Sequence, residues 1–283
     1  MTQLQEPEAL GRIVRLVRDL RARCSWDAAQ TRETLRPYLV EEVLELDHAI
    51  SLGNERQVMA ELGDMLLHLA FQIVLGEENG RFSTEEVVRG LEEKMWRRHP
   101  HLFTPDGAEQ TTSPEEPGAA PRPHPGWERQ KLAEVRGRSM LDGLPPRLPA
   151  LLMAYRLQER AAGVGFDWPD AVGPREKLDE EIRELDAEVA GDYKNGPGDR
   201  GRIESELGDI LFAVVNLARK LSVDPRGALE KANRRFEGRF RELERIATDR
   251  GIELGRATLA ELDGLWNEAK RVPTVADQDG QSV

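Results

Sequence analysis

EKLDEEIRELDAEVA at residues 176–190 and IESELGDILFAVVNL at residues 203–217 decide the fold. In the second, Leu207, Ile210, Leu211, Phe212, Val214, Val215 and Leu217 make a helix almost wholly apolar, yet Glu206 and Asp209 stand three residues apart at its start. The first presents Glu181 and Glu184 at the same spacing. Positions i and i+3 share one face of an α-helix, so each segment offers a pair of carboxylates to one side. Leu178, Ile182, Leu185 and Val189 recur at three- and four-residue steps, the pattern of a core-facing stripe.

The same pattern occurs earlier in the chain. PYLVEEVLELDHAI at 37–50 is answered by KLDEEIRELDAEVA at 177–190, and ELGDMLLHLAF at 61–71 by ELGDILFAVVN at 206–216. EEKMWRRHP at 92–100 pairs with LEKANRRFE at 229–237, and WERQK at 127–131 with WNEAK at 266–270. The offset is 139 from Glu42 to Glu181, 145 from Asp64 to Asp209, 137 from Arg98 to Arg235 and 139 again from Trp127 to Trp266. The extra positions fall in GDYKNGPGDRG, 191–201, where Gly and Pro predict a longer loop.

Periodicity predicts helices over 8–23, 32–52, 55–79 and 84–98, then over 147–162, 174–191, 201–221 and 225–249. The expected architecture is all-α: two four-helix-bundle-like repeats, 1–103 and 127–283, joined by a flexible Pro-rich linker at 104–126. The second is expected to be helical from about 147, after the prolines of SMLDGLPPRLP, with 127–138 packing on the first.

A length of 283 residues suits two domains, and 33% charged with 5% aromatic residues favours helix. The net charge of −12 argues against nonspecific nucleic-acid binding, whose phosphates demand a basic surface. MTQLQEPEALGR lacks the basic and apolar regions of an export signal, and no run approaches the ~18 apolar residues of a membrane span. The lone Cys24, read as a half-buried small residue, fits a reducing cytoplasm.

A single EExxE is ordinarily a solvated surface. Here the ELGD tetrads lie on apolar helices, where a buried carboxylate is costly unless its charge is compensated. Gly63 and Gly208 occupy helix interiors at ~1 kcal/mol each relative to Ala, which predicts close approach of a neighbour or ligand. The arrangement also occurs twice. The candidate metal ligands are therefore Glu42, Glu45, Glu61 and Asp64 in repeat one and Glu181, Glu184, Glu206 and Asp209 in repeat two. All-oxygen ligation suits Mg²⁺ or Mn²⁺ rather than zinc. Glu45 and His48 form a Glu-x-x-His, but Ala187 stands where repeat two would need the second histidine of a di-iron bundle, and Ala213 replaces His68. His99 and His101 are read as capping or packing groups at a helix end.

Hard cations on a few carboxylates commonly work with substrate phosphates. Lys231, Arg234, Arg235 and Arg239 supply counter-charge in repeat two, and Lys94, Arg97 and Arg98 in repeat one. Trp266 with Lys270, and Trp127 with Lys131, place an aromatic plane and a cation four residues apart, fit for a base and a phosphate.

These residues resemble the MazG family of the all-α NTP pyrophosphatase superfamily. CSWDAAQT, RPYLVEEVLEL, ELGDMLLHLAFQ, GRFSTEEV and RRHPHLF carry the likeness in the first half. VGFDW, DEEIREL, ELGDILFAVVNLAR, KANRRFEGRF and LWNEAKR carry it in the second. The resemblance implies tandem domains, a homodimer, and Mg²⁺-dependent cleavage of NTPs and dNTPs to monophosphate and pyrophosphate, a nucleotide-pool house-cleaning reaction. By position it makes Glu181, Glu184, Glu206 and Asp209 the catalytic ligands, with Arg202, Lys231, Asn233, Arg235, Arg239, Trp266 and Lys270 around the nucleotide. Arg202 and Arg235 stand where the family commonly has Lys. In repeat one Trp96 replaces the Asn found at 233, and most activity is expected from repeat two. Glu180 or Glu181 is the expected proton acceptor. The rival is a non-catalytic module that binds metal and nucleotide and breaks no bond.

Overall fold

The computed structural model describes residues 6–100, 102–104, 139–195 and 200–272, and every element among them is a helix. In chain order these are α1 (Glu6–Arg23), α2 (Ser25–Ala28), α3 (Arg32–Ser51), α4 (Glu55–Glu78), α5 (Thr84–Arg98), α6 (Ala150–Gly163), α7 (Val172–Asn195), α8 (Arg200–Lys220), α9 (Pro225–Asp249) and α10 (Leu259–Ala269). The chain divides into two compact units, Met1–Trp127 and Glu128–Val283. The expected linker, apart from Thr104, and the expected packing of 127–138 lie outside the described residues.

The helix ends follow from local chemistry. Thr31 with Thr34, Ser83 with Glu86 and Thr258 with Glu261 form reciprocal capping boxes, and Asp224 caps α9 ahead of Pro225 at its first turn. Gly53, at φ 63°, turns the chain between α3 and α4 in a conformation that β-carbon sterics deny to most residues. Two helices escaped the periodicity argument. The four-residue α2 is too short to show a period, and α10 follows a Gly-containing turn that ends the apolar pattern of α9. The loop expected at 191–201 is shorter than its composition implies, because α7 continues through Gly191 to Asn195 and α8 begins at Arg200.

In the first unit α1, α3 and α5 all pack on α4. Its core is Val17, Leu35, Ala70, Phe71, Val74 and Leu75. In the second unit α7 pairs with α8, α6 and α9 flank α8, and α10 packs on α9 over Leu243, Ile246, Ala247, Leu265 and Ala269. By length and composition α4 is apolar enough to cross a membrane, contrary to the sequence expectation. Its C-terminal half supplies the core of the unit, and its N-terminal half carries Glu61 and Asp64.

The central pairs keep one apolar stripe uncovered. Leu62, Leu66 and Leu69 of α4, at i, i+4 and i+7, are 47, 36 and 48% exposed. Their counterparts on α8, Leu207, Leu211 and Val214, are 46, 58 and 41% exposed. Gly63 and Gly208 beside these stripes face open space, so the close approach expected of them does not come from the described helices of their own unit. The stripe expected to face the core on α7 is likewise only partly covered, with Ile182 exposed.

Candidate functional site: two carboxylate clusters on helix pairs

In the first unit α3 contributes Glu42 and Glu45, one turn apart, and the antiparallel α4 contributes Glu61. One oxygen from each lies within 4.8 Å of the others. Asp64, a turn further along α4, stands outside this triad but acts on it. Burial and then the Asp64 charge push the Glu42 carboxyl above its ordinary range, with His68 pulling the other way. Burial, Glu45 and Asp64 raise Glu61 in the same manner. The buried His68 brings Nε2 to 3.7 Å from Glu42 Oε1, beyond hydrogen-bonding distance. An open cleft of about 710 Å³ adjoins the triad, walled by Pro37, Val40 and Leu44 and carrying Glu45, His48 and Glu61 on its polar side.

The second unit also holds a carboxylate triad on a helix pair, with the acids divided differently between the two helices. Glu181 of α7 meets Glu206 and Asp209 of α8 with donor oxygens within 4.8 Å of one another. Burial first, then the charges of Glu184, Asp209 and Glu181, push Glu206 upward. Glu184 is thus close enough to be felt while standing outside the triad. Glu181 is 5% exposed, whereas Glu206 is half-buried and Asp209 exposed. The acids are therefore less buried than their apolar helices imply, because those helices leave part of their own apolar surface in water.

A cation already meets this cluster. Lys177, one turn before Glu181, places Nζ 2.5 Å from Glu181 Oε1 and 3.0 Å from Glu180 Oε1. These bonds, to Glu181 first and then Glu180, push its ammonium pKa up. Lys177 and Glu181 stand four residues apart, a spacing so common on helices that the sequence alone does not distinguish this lysine.

The remaining candidates lie on α5, α7–α8 and α9–α10. Lys231, Asn233 and Arg235 are exposed on α9, and Arg239 is half-buried. Trp266 of α10 packs partly on the α9–α10 core and sets its ring 5.3 Å from that of Phe236, which stacks on Phe240 at 6.0 Å. Phe236 and Phe240 each stand next to a basic residue, Arg235 or Arg239, a signal the sequence pattern carries only weakly. Lys270 caps the end of α10 and is exposed. Arg202 is exposed on α8 with Nη1 3.9 Å from Glu188. In the first unit Lys94 and Arg98 are half-buried and Arg97 exposed on α5, while Trp127 and Lys131 lie outside the described residues. His99 closes α5, its Nδ1 2.8 Å from the Met95 carbonyl, and Cys24 is half-buried at the start of α2. Asp167 of VGFDW bonds Arg219 at 2.5 Å and Lys220 at 3.2 Å, which outweighs burial and holds its carboxyl below the usual range.

Chemically, each triad is an all-oxygen donor set of three carboxylates, two from one helix and one from the helix paired with it. Burial first, and then their mutual repulsion, raises Glu42, Glu61 and Glu206, and a divalent cation would relieve both. Donor type and spacing fit a hard ion such as Mg²⁺ or Mn²⁺.

The MazG nucleotide pyrophosphohydrolase domain matches residues 30–103. The chain is 40% identical to the nucleoside triphosphate pyrophosphohydrolase/pyrophosphatase MazG of Thermotoga maritima, over 87% of this chain and 89% of that protein. It is 37% identical to the nucleoside triphosphate pyrophosphohydrolase of Escherichia coli K12, over 95% of this chain and 98% of the relative. A Mycobacterium tuberculosis protein of the same name is 28% identical over 80% of this chain and 67% of its own length. With carboxylate helix pairs in both halves and relatives matched along nearly their whole length, the chain belongs to the MazG nucleotide pyrophosphohydrolase family.

Proposed function

We propose that this protein is a divalent-metal-dependent nucleoside triphosphate pyrophosphohydrolase that cleaves NTPs and dNTPs between the α and β phosphates, releasing monophosphate and pyrophosphate. The observation that carries the proposal is the pair of carboxylate triads, each closed within 4.8 Å, in a chain of the MazG family. Mg²⁺ is the intended ion, with Mn²⁺ as a substitute. Glu181, Glu206 and Asp209 hold it in repeat two with Glu184 adjoining, as Glu42, Glu45 and Glu61 do in repeat one with Asp64. A bound ion supplies a clamp on the triphosphate and a water acidified enough to attack phosphorus.

The chain's own side chains do the rest. Lys231, Arg235, Arg239 and Lys270 neutralise the phosphates and the departing pyrophosphate, with Arg202 at the start of α8. Trp266, braced by Phe236, offers its face to the base, with Asn233 on the same helix as the phosphate cations. Glu180, next to the ligand Glu181 and half-buried, is placed to accept the proton of the attacking water. Water adds to the α-phosphorus, the bond to the bridging oxygen breaks, and pyrophosphate leaves.

Repeat two is assigned as the working copy. Leu102 occupies the place of Arg239 in repeat one and Trp96 that of Asn233, so repeat one has lost a phosphate cation and a polar contact while keeping its acids. Lys94, Arg97 and Arg98 remain there as an anion-binding remnant. The decisive experiment assays pyrophosphate release on several dNTPs with Mg²⁺ for Glu206→Ala, Asp209→Ala and the double variant Glu61→Ala with Asp64→Ala. Loss of most activity in the first two and retention of a large part in the third supports the assignment. The reverse pattern moves the working site to repeat one, and no pyrophosphate from the unmodified protein ends the enzyme proposal.

A homodimer belongs to the same proposal. The uncovered stripes Leu62–Leu66–Leu69 and Leu207–Leu211–Val214 occupy equivalent positions, and Gly63 and Gly208 beside them leave room for a helix of a second copy. A helix pair closed by its partner's pair is a four-helix bundle with the acid clusters near its seam. The net charge of −12 and the single half-buried cysteine support a cytoplasmic setting without nucleic-acid partners.

A further inference from the structure

We propose that Lys177 is a resident counterion that competes with the divalent cation for Glu181, so that the free protein fills its repeat-one cation site before its repeat-two site. This rests on the proposal that both triads bind a divalent cation. It goes beyond that proposal in ordering the two sites.

Glu181 is the most buried of the repeat-two acids, and a carboxylate out of water requires a positive partner or a proton. Lys177 provides that partner from one helical turn away, with Nζ 2.5 Å from Oε1. A hard cation binds a carboxylate oxygen at ~2.0–2.1 Å, so it and an ammonium group crowding the same oxygen repel each other. Binding therefore requires Lys177 to give up Glu181. It has a place to stay, because Glu180 holds the same Nζ at 3.0 Å on the more exposed side of α7.

Repeat one is built otherwise. The position equivalent to Lys177 is Tyr38, uncharged and largely exposed. The nitrogen facing Glu42 is His68 Nε2, at 3.7 Å and not hydrogen-bonded, and its counterpart in repeat two is Ala213. The two copies thus carry nearly the same acids with different neighbours for the first of them. In one a hydrogen-bonded ion pair must open before a metal enters, and in the other the first acid faces only the longer His68 approach at 3.7 Å.

Mn²⁺ binding to the full chain, followed by the electron paramagnetic resonance signal of the free ion, tests this without any turnover. Glu61→Ala with Asp64→Ala leaves repeat two as the binding site, and Glu206→Ala with Asp209→Ala leaves repeat one. The first form should bind Mn²⁺ more weakly than the second. Adding Lys177→Tyr, which imports repeat one's residue, should tighten repeat two by about three- to tenfold, the scale of a partly exposed ion pair. Tyr38→Lys in the other form should weaken repeat one by a similar factor. In EDTA, Lys177→Tyr should also melt lower than its parent while gaining more from Mn²⁺. Should that substitution fail to fold, Lys177→Met and the independent Tyr38→Lys carry the same comparison. Mn²⁺ affinity that is unchanged or weakened by Lys177 substitutions overturns the competition while leaving the metal sites standing. Absence of Mn²⁺ binding in the unmodified protein overturns both.

Discussion

Replacing Leu66 and Leu211 by Asp should dissociate the proposed homodimer into monomers. Each of the six stripe residues, Leu62, Leu66, Leu69, Leu207, Leu211 and Val214, leaves between about a third and three fifths of its surface in water within one chain. Complete burial of such a side chain is worth ~1.5–3 kcal/mol, so covering the exposed half yields about 0.75–1.5 kcal/mol per residue. The twelve residues of a pair then contribute about 9–18 kcal/mol, against an association cost of ~4–15 kcal/mol. The balance is favourable but not large. Leu66→Asp with Leu211→Asp removes a third of that gain, about 3–6 kcal/mol, and forces four carboxylates toward an apolar seam at several kcal/mol more. Since each ~1.4 kcal/mol is tenfold, the dimer dissociation constant should rise by more than about a hundredfold. Sedimentation velocity across the micromolar range reads this directly, with circular dichroism to establish that the helices persist. Monomeric unmodified protein at these concentrations, or a double variant as dimeric as its parent, would refute the reasoning.

Two further outcomes follow from the sites. Glu42, Glu61 and Glu206 are held above their ordinary value of 4.5, so the fold favours their protonated forms; their contribution to metal-free stability should be full below that value and decline as pH rises through the raised values. Melting in EDTA should therefore rise from neutral pH to about 5, whereas Mg²⁺ at ~100 times its dissociation constant should restore about 2.7 kcal/mol at neutral pH and less in acid; a melting temperature indifferent to EDTA would end the metal assignment. Trp266→Ala removes an aromatic face whose contact with a base is worth ~1–3 kcal/mol in ground and transition states alike, so KM should rise about tenfold or more with a smaller change in kcat; a loss confined to kcat would contradict that role.

The helices and the identity of the acid helices were legible in the sequence because both depend on local spacing. A period of 3.6 residues displays itself along the chain, and Glu42, Glu45, Glu181, Glu206 and Asp209 could be assigned to shared faces before any packing was known. Recurrence of the pattern at offsets of 137 to 145 raises the expectation of a twofold organisation for the same reason. What periodicity cannot encode is which face of a helix meets which neighbour. Leu62 and Leu66 or Leu207 and Leu211 read as core, yet they lie at the surface of their own unit, since an apolar stripe looks the same whether its cover comes from the same unit or from elsewhere. Gly63 and Gly208 were read as points of close approach, and tertiary structure leaves them open. The tight triads also needed three dimensions: crossing of the helix pair selects Glu61 over Asp64 beside Glu42 and Glu45, and Asp209 over Glu184 beside Glu181 and Glu206. Phe236 and Lys177 escaped notice because their meaning lies in contacts, with Trp266 on another helix and with a carboxylate that packing has buried. Sequence determined which residues carry charge and on which helical face; only the packing of helix on helix decided how much water each charge keeps, and hence which of them needs a counterion.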